Sequence, residues 1–224
     1  MSIKSISAIR RAELSRAAFE AVATHGLRMT TLEKVADIAG VSKGVVLHHF
    51  KDKGLLLEAV FRKSNSILSE AVVELYKYAN NPYERLWAIV IANFYDTIFN
   101  HKMCQAWVSL AAEVPFNIQC QRVQTACHSR IHTNLKHELK SFLNVQQTEK
   151  AAKHLGVLID GIWLRAGLNS KPTKSDEAIN EIEYSIQKLI LTTDSRVKHQ
   201  RARAKIQTVA SILMSSRAFK EKAL

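Results

Sequence analysis

Glycine and proline are scarce in this sequence, with 7 glycines and 3 prolines among 224 residues. These are about 3% and 1% of the chain, where globular proteins usually carry about 7% and 5%. So few turn-forming residues cannot separate the many short strands of a β-sandwich or barrel. This excludes an all-β fold and makes an α/β fold unfavourable. We therefore expect an all-α protein, built from long helices with short connections.

Cysteine and long apolar runs are also lacking. The three cysteines, Cys104, Cys120 and Cys127, form no CxxC pair, so we expect no disulfide framework and treat them as small buried hydrophobes. The longest apolar stretch, Leu86 to Ala92, is far shorter than the roughly 18 residues that a membrane-spanning helix needs. We expect a cytoplasmic protein with no membrane partner.

Motifs typical of enzymes are absent as well. The sequence contains no GxSxG, GxxxxGK[ST], HExxH or GxGxxG. His128 and His132 share one helix face, which alone is only weak support for a metal site. We predict that the protein is not an enzyme, with no catalytic residues, no cofactor and no metal.

Positive charge is in excess and unevenly distributed. The net charge is +12, of which residues 1–53 carry +4, residues 54–193 carry +2 and residues 194–224 carry +6. A basic excess suggests a polyanionic partner, either nucleic acid or an anionic membrane surface. The alternative is a basic protein whose charge serves solubility alone.

Helical periodicity is nearly continuous along the chain. The first helix is expected to end at Gly26, a second to begin at Thr30-Thr31, a third after Ser42, a long fourth after Asp52 and a fifth at Pro82. Further helices are expected over about 103–112, 116–143, 147–168 and 174–192. A domain boundary is expected near residue 54, inside the fourth helix. Residues 194–224 have sparse apolar positions, which indicates an appendage without a core of its own.

The segment from Leu32 to Lys51 has the pattern of a helix-turn-helix. The small Ala36 lets the second helix cross the first, and Gly40 supplies the positive φ of the turn. Apolar side chains are expected between the two helices, at Val35, Ala39, Val41 and Val46. The second helix is then free to lie in the DNA major groove with its N-terminal residues on base edges. The alternative is a plain helical hairpin without a role in DNA binding.

A family resemblance rests on these residues. The first helix, the motif and then His49-Phe50-x-x-Lys53 with Leu55-Leu56 resemble the TetR family of bacterial repressors over about residues 8–60. The stretches from Gly44 to Leu56 and from Ile159 to Ala166 are further similar to its BetI group, the choline-responsive repressors of glycine betaine synthesis.

The resemblance implies a TetR-like fold, with an N-terminal three-helix helix-turn-helix head on a helical body that binds a ligand and dimerises. The implied domains are a DNA-binding head at 1–53, a ligand-sensing and dimerisation body at 54–193 and a basic C-terminal extension at 194–224. Leu47 departs from the family, in which many members have a tyrosine that contacts phosphate. That contact is then missing or is made by His48.

The residues expected to contact DNA follow from side-chain chemistry in the head. Lys43, His48 and Ser42 can donate to base edges. Phosphate contacts are expected from free helix N–H groups and from Thr31, Lys53, Arg10 and Arg11. The full candidate set is Arg10, Arg11, Thr31, Ser42, Lys43, Gly44, Leu47, His48 and Lys53. For each charged member, the alternative is an ordinary solvated side chain.

The residues expected to bind an effector are aromatic and acidic. Aromatic faces attract a quaternary ammonium ion by roughly 0.5–2 kcal/mol each, and a carboxylate can add a counter-charge. The candidates are Trp87, Phe94, Trp107 and Trp163 for the aromatic faces and Glu113 or Asp160 for the counter-charge. The alternative is that the aromatics are ordinary packing and that Asp160 pairs with Arg165.

The residues expected at a dimer interface form two apolar stripes with heptad-like spacing. Stripes on two helices of each subunit can build a four-helix interface. They consist of Leu155, Ile159 and Ile162 on one helix and Ile179, Ile182, Ile186 and Leu189 on the next. Burial inside one chain is the alternative for each residue.

Together these features predict a homodimeric transcriptional repressor that leaves a palindromic operator on binding a small molecule, choline by resemblance. It would control genes of glycine betaine synthesis or choline uptake. One alternative is a TetR-like regulator of an efflux pump that senses lipophilic cations. The other is a basic DNA-binding protein without an effector, which the aromatic, nearly neutral body argues against.

Overall fold

Every regular element in the described part of the chain is an α-helix. The computed structural model describes residues 6–189 and 193–223. Residues 1–5, residue 224 and residues 190–192, which end the helix expected over 174–192, lie outside the described residues. The helices are α1 (Ile6–Met29), α2 (Leu32–Ala39), α3 (Lys43–His49), α4 (Lys53–Tyr76), α5 (Pro82–Phe94), α6 (His101–Ala111), α7 (Ile118–Leu139), α8 (Val145–Leu168), α9 (Ser175–Leu189), α10 (Thr193–Leu213) and α11 (Arg217–Ala223).

Local capping explains where the helices begin. Thr31 accepts a hydrogen bond from the Lys34 N–H to start α2, and Asp52 accepts one from the Leu55 N–H to start α4. Pro82 occupies the first turn of α5. Gly26 adopts φ +73° and ψ 160°, outside the helical region, so the first helical run ends there as expected. A short helical turn follows it to Met29.

The core of the head reaches into the body. Leu14, Val35, Val46 and Phe50 are fully buried among α1–α4. The same cluster includes buried residues of the body helices α6 and α7, namely Ala106, Leu110, Cys120 and Val123. The head is therefore joined to the body through packing on α6 and α7 as well as through the continuous helix α4.

Helix α5 is the central element of the body. All residues from Leu86 to Phe94 are buried, because α4, α7, α9 and α10 pack around this helix. Helix α8 packs against α6, α7 and α9. A Cβ at Gly167 of α8 would lie 2.5 Å from the Cys104 carbonyl oxygen, so glycine permits the close approach of α6 and α8.

The C-terminal extension is not an appendage, and that expectation is wrong. Helix α10 packs against α5 and buries Ala202, Ile206 and Ala210 in the body core. Met214, directly after α10, is buried in the same core. Lys205 forms a 2.6 Å ion pair with Glu84, and Arg203 pairs with Glu183. The apolar stripe of α10 is narrow and half of it is alanine, which is why it looked too sparse to belong to a core.

Candidate functional site

The second helix of the helix-turn-helix presents one face to solvent. Gly40 ends α2 at φ +64°, the left-handed conformation that the turn requires. Val46 then faces inward and is fully buried. The opposite face of α3 is exposed, and it carries Ser42, Lys43, Gly44, Leu47 and His48.

The start of α3 is open to a ligand. The Ser42 side chain makes no capping hydrogen bond within α3, so its hydroxyl is not committed to this helix end. Desolvation and the neighbouring His48 and Arg10 lower the pKa of His49, as expected on an electropositive surface. This face has the shape and charge needed to enter a major groove.

Two of the expected phosphate ligands also make contacts within the protein. Lys53 is half-buried and donates from Nζ to the Leu27 carbonyl at 3.0 Å, next to the end of α1. Arg11 donates to the His49 carbonyl at 3.0 Å and lies 4.4 Å above the Phe50 ring. These contacts hold α1 against α4 and α3, and a phosphate contact by either cation stays a prediction.

The two remaining phosphate candidates are nearer to solvent. Arg10 forms an exposed 2.8 Å ion pair with Glu13, and such pairs are easily exchanged for phosphate. The Thr31 hydroxyl oxygen accepts from the Lys34 N–H at 3.2 Å, and its residue is exposed at the start of α2.

Three of the expected effector residues converge on one pocket in the body. Trp107 of α6 and Trp163 of α8 stand with ring centroids 5.9 Å apart, and Asp160 lies one turn before Trp163. We call this the aromatic pocket. Its other lining residues are Asn65, Leu68, Asn93, Gln124, Cys127, Ile131 and Ile159. Phe94 does not line the pocket, but its ring supports Trp163 through Phe99, with centroids 5.2 and 5.3 Å apart.

The polar lining of the pocket was missed in the sequence. Asn65 and Asn93 are buried, and each donates its amide to the carbonyl four residues earlier, on Phe61 and Ile89. Asn93 interrupts an otherwise apolar run on α5, which is a signal that the sequence offers. The Gln124 amide oxygen is buried without a hydrogen-bond partner.

Two other expected effector residues lie elsewhere, and the structure corrects their placement. Trp87 is fully buried under α10, with its ring 6.4 Å from the His199 ring and 5.7 Å from the Arg203 guanidinium carbon. Glu113 follows α6 and lines a groove between head and body together with Arg28. Neither residue lines the aromatic pocket.

The expected dimer stripes also need correction. Leu155, Ile159, Ile162, Ile179, Ile182 and Ile186 are buried within a single chain, and Leu189 is half-buried. These side chains pack α8 and α9 onto the body and leave little surface for a partner. The exposed apolar residues on the outer faces of the same helices are Val157, Leu164, Leu168 and Tyr184.

Within residues 6–189 and 193–223, no cluster of three His, Cys, Asp or Glu side chains has the arrangement of a metal site. No helix in the same residues is both long and apolar enough to cross a membrane.

A helix-turn-helix head on a helical body with an internal pocket defines a DNA-binding regulator that carries its own ligand-binding domain.

Comparison with known proteins narrows this class. Residues 14–60 match the bacterial regulatory proteins of the tetR family, and residues 82–191 match the BetI-type transcriptional repressor, C-terminal. The chain is 36% identical to the HTH-type transcriptional regulator BetI of Pseudomonas paraeruginosa over 174 residues, covering 77% of this chain and 88% of that protein. The chain belongs to the TetR family of transcriptional regulators and has a BetI-type body.

Other relatives agree. The BetI regulator of Yersinia pestis is 36% identical over 173 residues, covering 76% of this chain and 87% of that protein. A transcriptional regulator from Saccharomonospora viridis, solved in complex with choline, superposes with a TM-score of 0.68 at 19% identity, covering 79% of this chain and 95% of that one. At this identity the likeness shows the fold alone. The family and these relatives are transcriptional regulators, which confirms that the protein is a repressor and not an enzyme.

Proposed function

We propose that this BetI-type repressor leaves its operator when a small organic cation, choline in the first instance, binds in the aromatic pocket. The genes under its control would be those of glycine betaine synthesis or choline uptake. The observation that carries the proposal is the convergence of Trp107, Trp163 and Asp160 on one pocket. A quaternary ammonium ion cannot lose its charge on burial, so it needs aromatic faces and a carboxylate of this kind.

The size of the pocket explains how binding would act on the head. The cavity volume is about 20 Å³, room for about one water molecule, so a ligand must displace the lining side chains. Trp107 packs against both the body core and the head core, and its neighbours Ala106 and Leu110 are buried against the head. Displacement of Trp107 would therefore shift α6 against α1. A coupling of about 1–3 kcal/mol between ligand and DNA is the usual size of such an effect.

A dimer is part of the proposal. On α8, the exposed Leu164 and Leu168 share one face with Gly161, where an added Cβ would have open space around it. Tyr184 is exposed on the neighbouring helix α9. Two such faces would pack as a four-helix interface around a two-fold axis. Each head would then read one half of a palindromic operator.

The related efflux-regulator function is less well supported. Both choline and a larger lipophilic cation must displace the lining of a cavity of about 20 Å³. The preference for choline therefore rests on the match of residues 82–191 to the BetI-type transcriptional repressor. The other alternative, a basic DNA-binding protein without an effector, gives the buried polar side chains of the pocket no function.

The test begins with the operator. Footprinting on DNA selected from the source genome should reveal two half-sites about 34–36 Å apart or a multiple of that distance. Choline titrated into the operator complex at constant ionic strength should release the DNA, whereas the same concentration of sodium chloride should not. Equal release by both salts would reduce the effect to screening and remove choline as the effector.

A further inference from the structure

The aromatic pocket shares a wall with a second cavity on the protein surface. This cavity, of about 160 Å³, lies between α7 and α8 and is bordered by His128, His132, Lys153 and Gly156. We call it the α7–α8 groove. Ile131 and Asp160 line both the groove and the aromatic pocket. The two cavities are thus separated by little more than these two side chains.

An ion pair closes this wall from the outside. His128 Nε2 lies 3.1 Å from Asp160 Oδ2, and both side chains are partly exposed, at 48% and 37%. The Gln124 side-chain nitrogen, from a residue that lines the pocket, contacts the same His128 nitrogen. The carboxylate best placed to receive a cation in the pocket is therefore already occupied by an imidazole.

We propose that the α7–α8 groove is the entrance to the aromatic pocket and that the His128–Asp160 pair is its gate, so that an entering organic cation must displace the His128 imidazolium from Asp160. This inference rests on the proposed function, since it concerns the route to the same pocket. Because Asp160 faces both cavities, it can pass from the imidazolium to the ligand without a change in the backbone. His128 faces solvent and can turn outward as it is displaced.

The surrounding charges make the gate selective. Arg130 of α7 donates to the Asn65 carbonyl of α4 and lies beside Cys127, and Lys153 of α8 borders the groove. Glu149 of α8 is already paired with Lys136 and His132 of α7. From α4 and α5, the pocket is lined by Leu68 and by the neutral amides Asn65 and Asn93. Asp160 is thus the carboxylate that an entering cation meets, and its Oδ2 is held by His128.

The gate predicts a particular dependence on pH. The hydrogen bond to Asp160 raises the pKa of His128 above its ordinary value, against the opposing effect of desolvation. The protonated form, which holds the gate, is therefore favoured as the pH falls through the raised pKa. A cation that must displace this ring therefore loses affinity as the pH falls through the raised pKa. The loss levels off below the ordinary value near 6.5, where the displaced ring is itself protonated.

The first experiment measures choline affinity by tryptophan fluorescence between pH 6 and pH 8.5. We expect the wild-type affinity to fall as the pH falls through the raised pKa of His128 and to level off below the ordinary value near 6.5. His128→Gln keeps a polar side chain without a titratable charge, so its affinity should be flat with pH and exceed the wild-type value at pH 6. His154→Gln is the matched control, because His154 is exposed on α8 and borders neither cavity. Parallel pH profiles for wild type and His128→Gln would overturn the gate.

A second readout needs neither choline binding nor DNA. Cys127 lines the aromatic pocket, so its reaction rate reports entry. At one fixed pH, peptide mass spectrometry would follow its modification by a trimethylammonium-ethyl methanethiosulfonate and by neutral methyl methanethiosulfonate, with Cys104 and Cys120 as internal references. The thiolate attacks the sulfenyl sulfur of either reagent and a sulfinate leaves. His128→Gln should increase the rate with the cationic reagent severalfold more than the rate with the neutral one.

The two readouts separate this inference from the proposed function. If choline fails to release the operator but His128→Gln speeds cationic modification of Cys127, the choline hypothesis fails and the gate stands. If choline releases the operator with an affinity that His128→Gln does not alter at any pH, and Cys127 reacts equally in both proteins, the gate is wrong and the function stands.

Discussion

Two aromatic groups in the body differ in what surrounds them. The α10-facing group consists of Tyr83, Trp87, Phe142 and His199, with ring centroids 4.5–6.4 Å apart and α10 packed over it. The pocket group consists of Phe94, Phe99, Trp107 and Trp163, at similar spacings of 5.2–5.9 Å. Only the second group borders a cavity with a carboxylate and buried amides. Aromatic content alone therefore does not identify a cation site, and convergent polar groups around a cavity do.

The largest expected effect comes from removing the cover of the α10-facing group. Deleting residues 190–224 would expose Trp87 and remove Ile206 and Met214 from the body core. We expect a loss comparable with the whole stability of a domain, about 5–15 kcal/mol, and no cooperative unfolding transition by near-ultraviolet circular dichroism. Native stability in the truncated protein would contradict this and would show that residues 190–224 are an appendage.

The next effect separates the two groups by stability. Trp87→Ala should lower the free energy of unfolding by about 3–5 kcal/mol, because the side chain is fully buried and tightly surrounded. Trp107→Ala should lower it by less, because Trp107 is half-buried and stands beside an existing cavity. Urea denaturation of both variants measures the difference. Equal losses would contradict the contrast between the groups.

The helix starts could be predicted from the sequence, whereas the surroundings of the tryptophans could not. The caps at Thr31 and Asp52 and the turn at Gly40 depend on neighbouring residues, so the helices of the head could be predicted from the sequence. The same holds for the start of α5 at Pro82. The division of the tryptophans was not, because Trp87 is enclosed by a helix more than one hundred residues later in the chain.

The apolar stripes of α8 and α9 show a related limit. An apolar stripe predicts burial, but burial inside one chain and burial between two chains leave the same pattern. Ile159 and Ile182 were therefore predicted to be buried, correctly, and assigned to the wrong surface.

A similar but pH-dependent effect is expected from His199. Its ring is buried, both nitrogens have no hydrogen-bond partner, and burial lowers the pKa of His199 to about 4. The unfolded chain, with an ordinary value near 6.5, binds the proton first. The contribution of neutral His199 to the free energy of unfolding is therefore fully present above pH 6.5. It is lost progressively as the pH falls toward 4, by about 3 kcal/mol in total.

His199→Phe should remove that part of the acid sensitivity. Urea denaturation at pH 7, 6, 5 and 4 would measure it, and His154→Gln is the control for an exposed histidine on α8. An unchanged pH profile in His199→Phe would mean that another group causes the acid sensitivity.

The smallest expected effect tests the central claim that the pocket group, and not the α10-facing group, receives the effector. The measurement is the choline concentration that releases half of the operator complex, at constant ionic strength, for Trp163→Leu and Trp87→Phe. Trp163→Leu keeps an apolar side chain but loses the aromatic face, so the concentration should rise about 2- to 30-fold, equivalent to roughly 0.5–2 kcal/mol. Trp87→Phe should leave it within about twofold, since Trp87 does not line the pocket. A larger shift in Trp87→Phe than in Trp163→Leu would contradict the account.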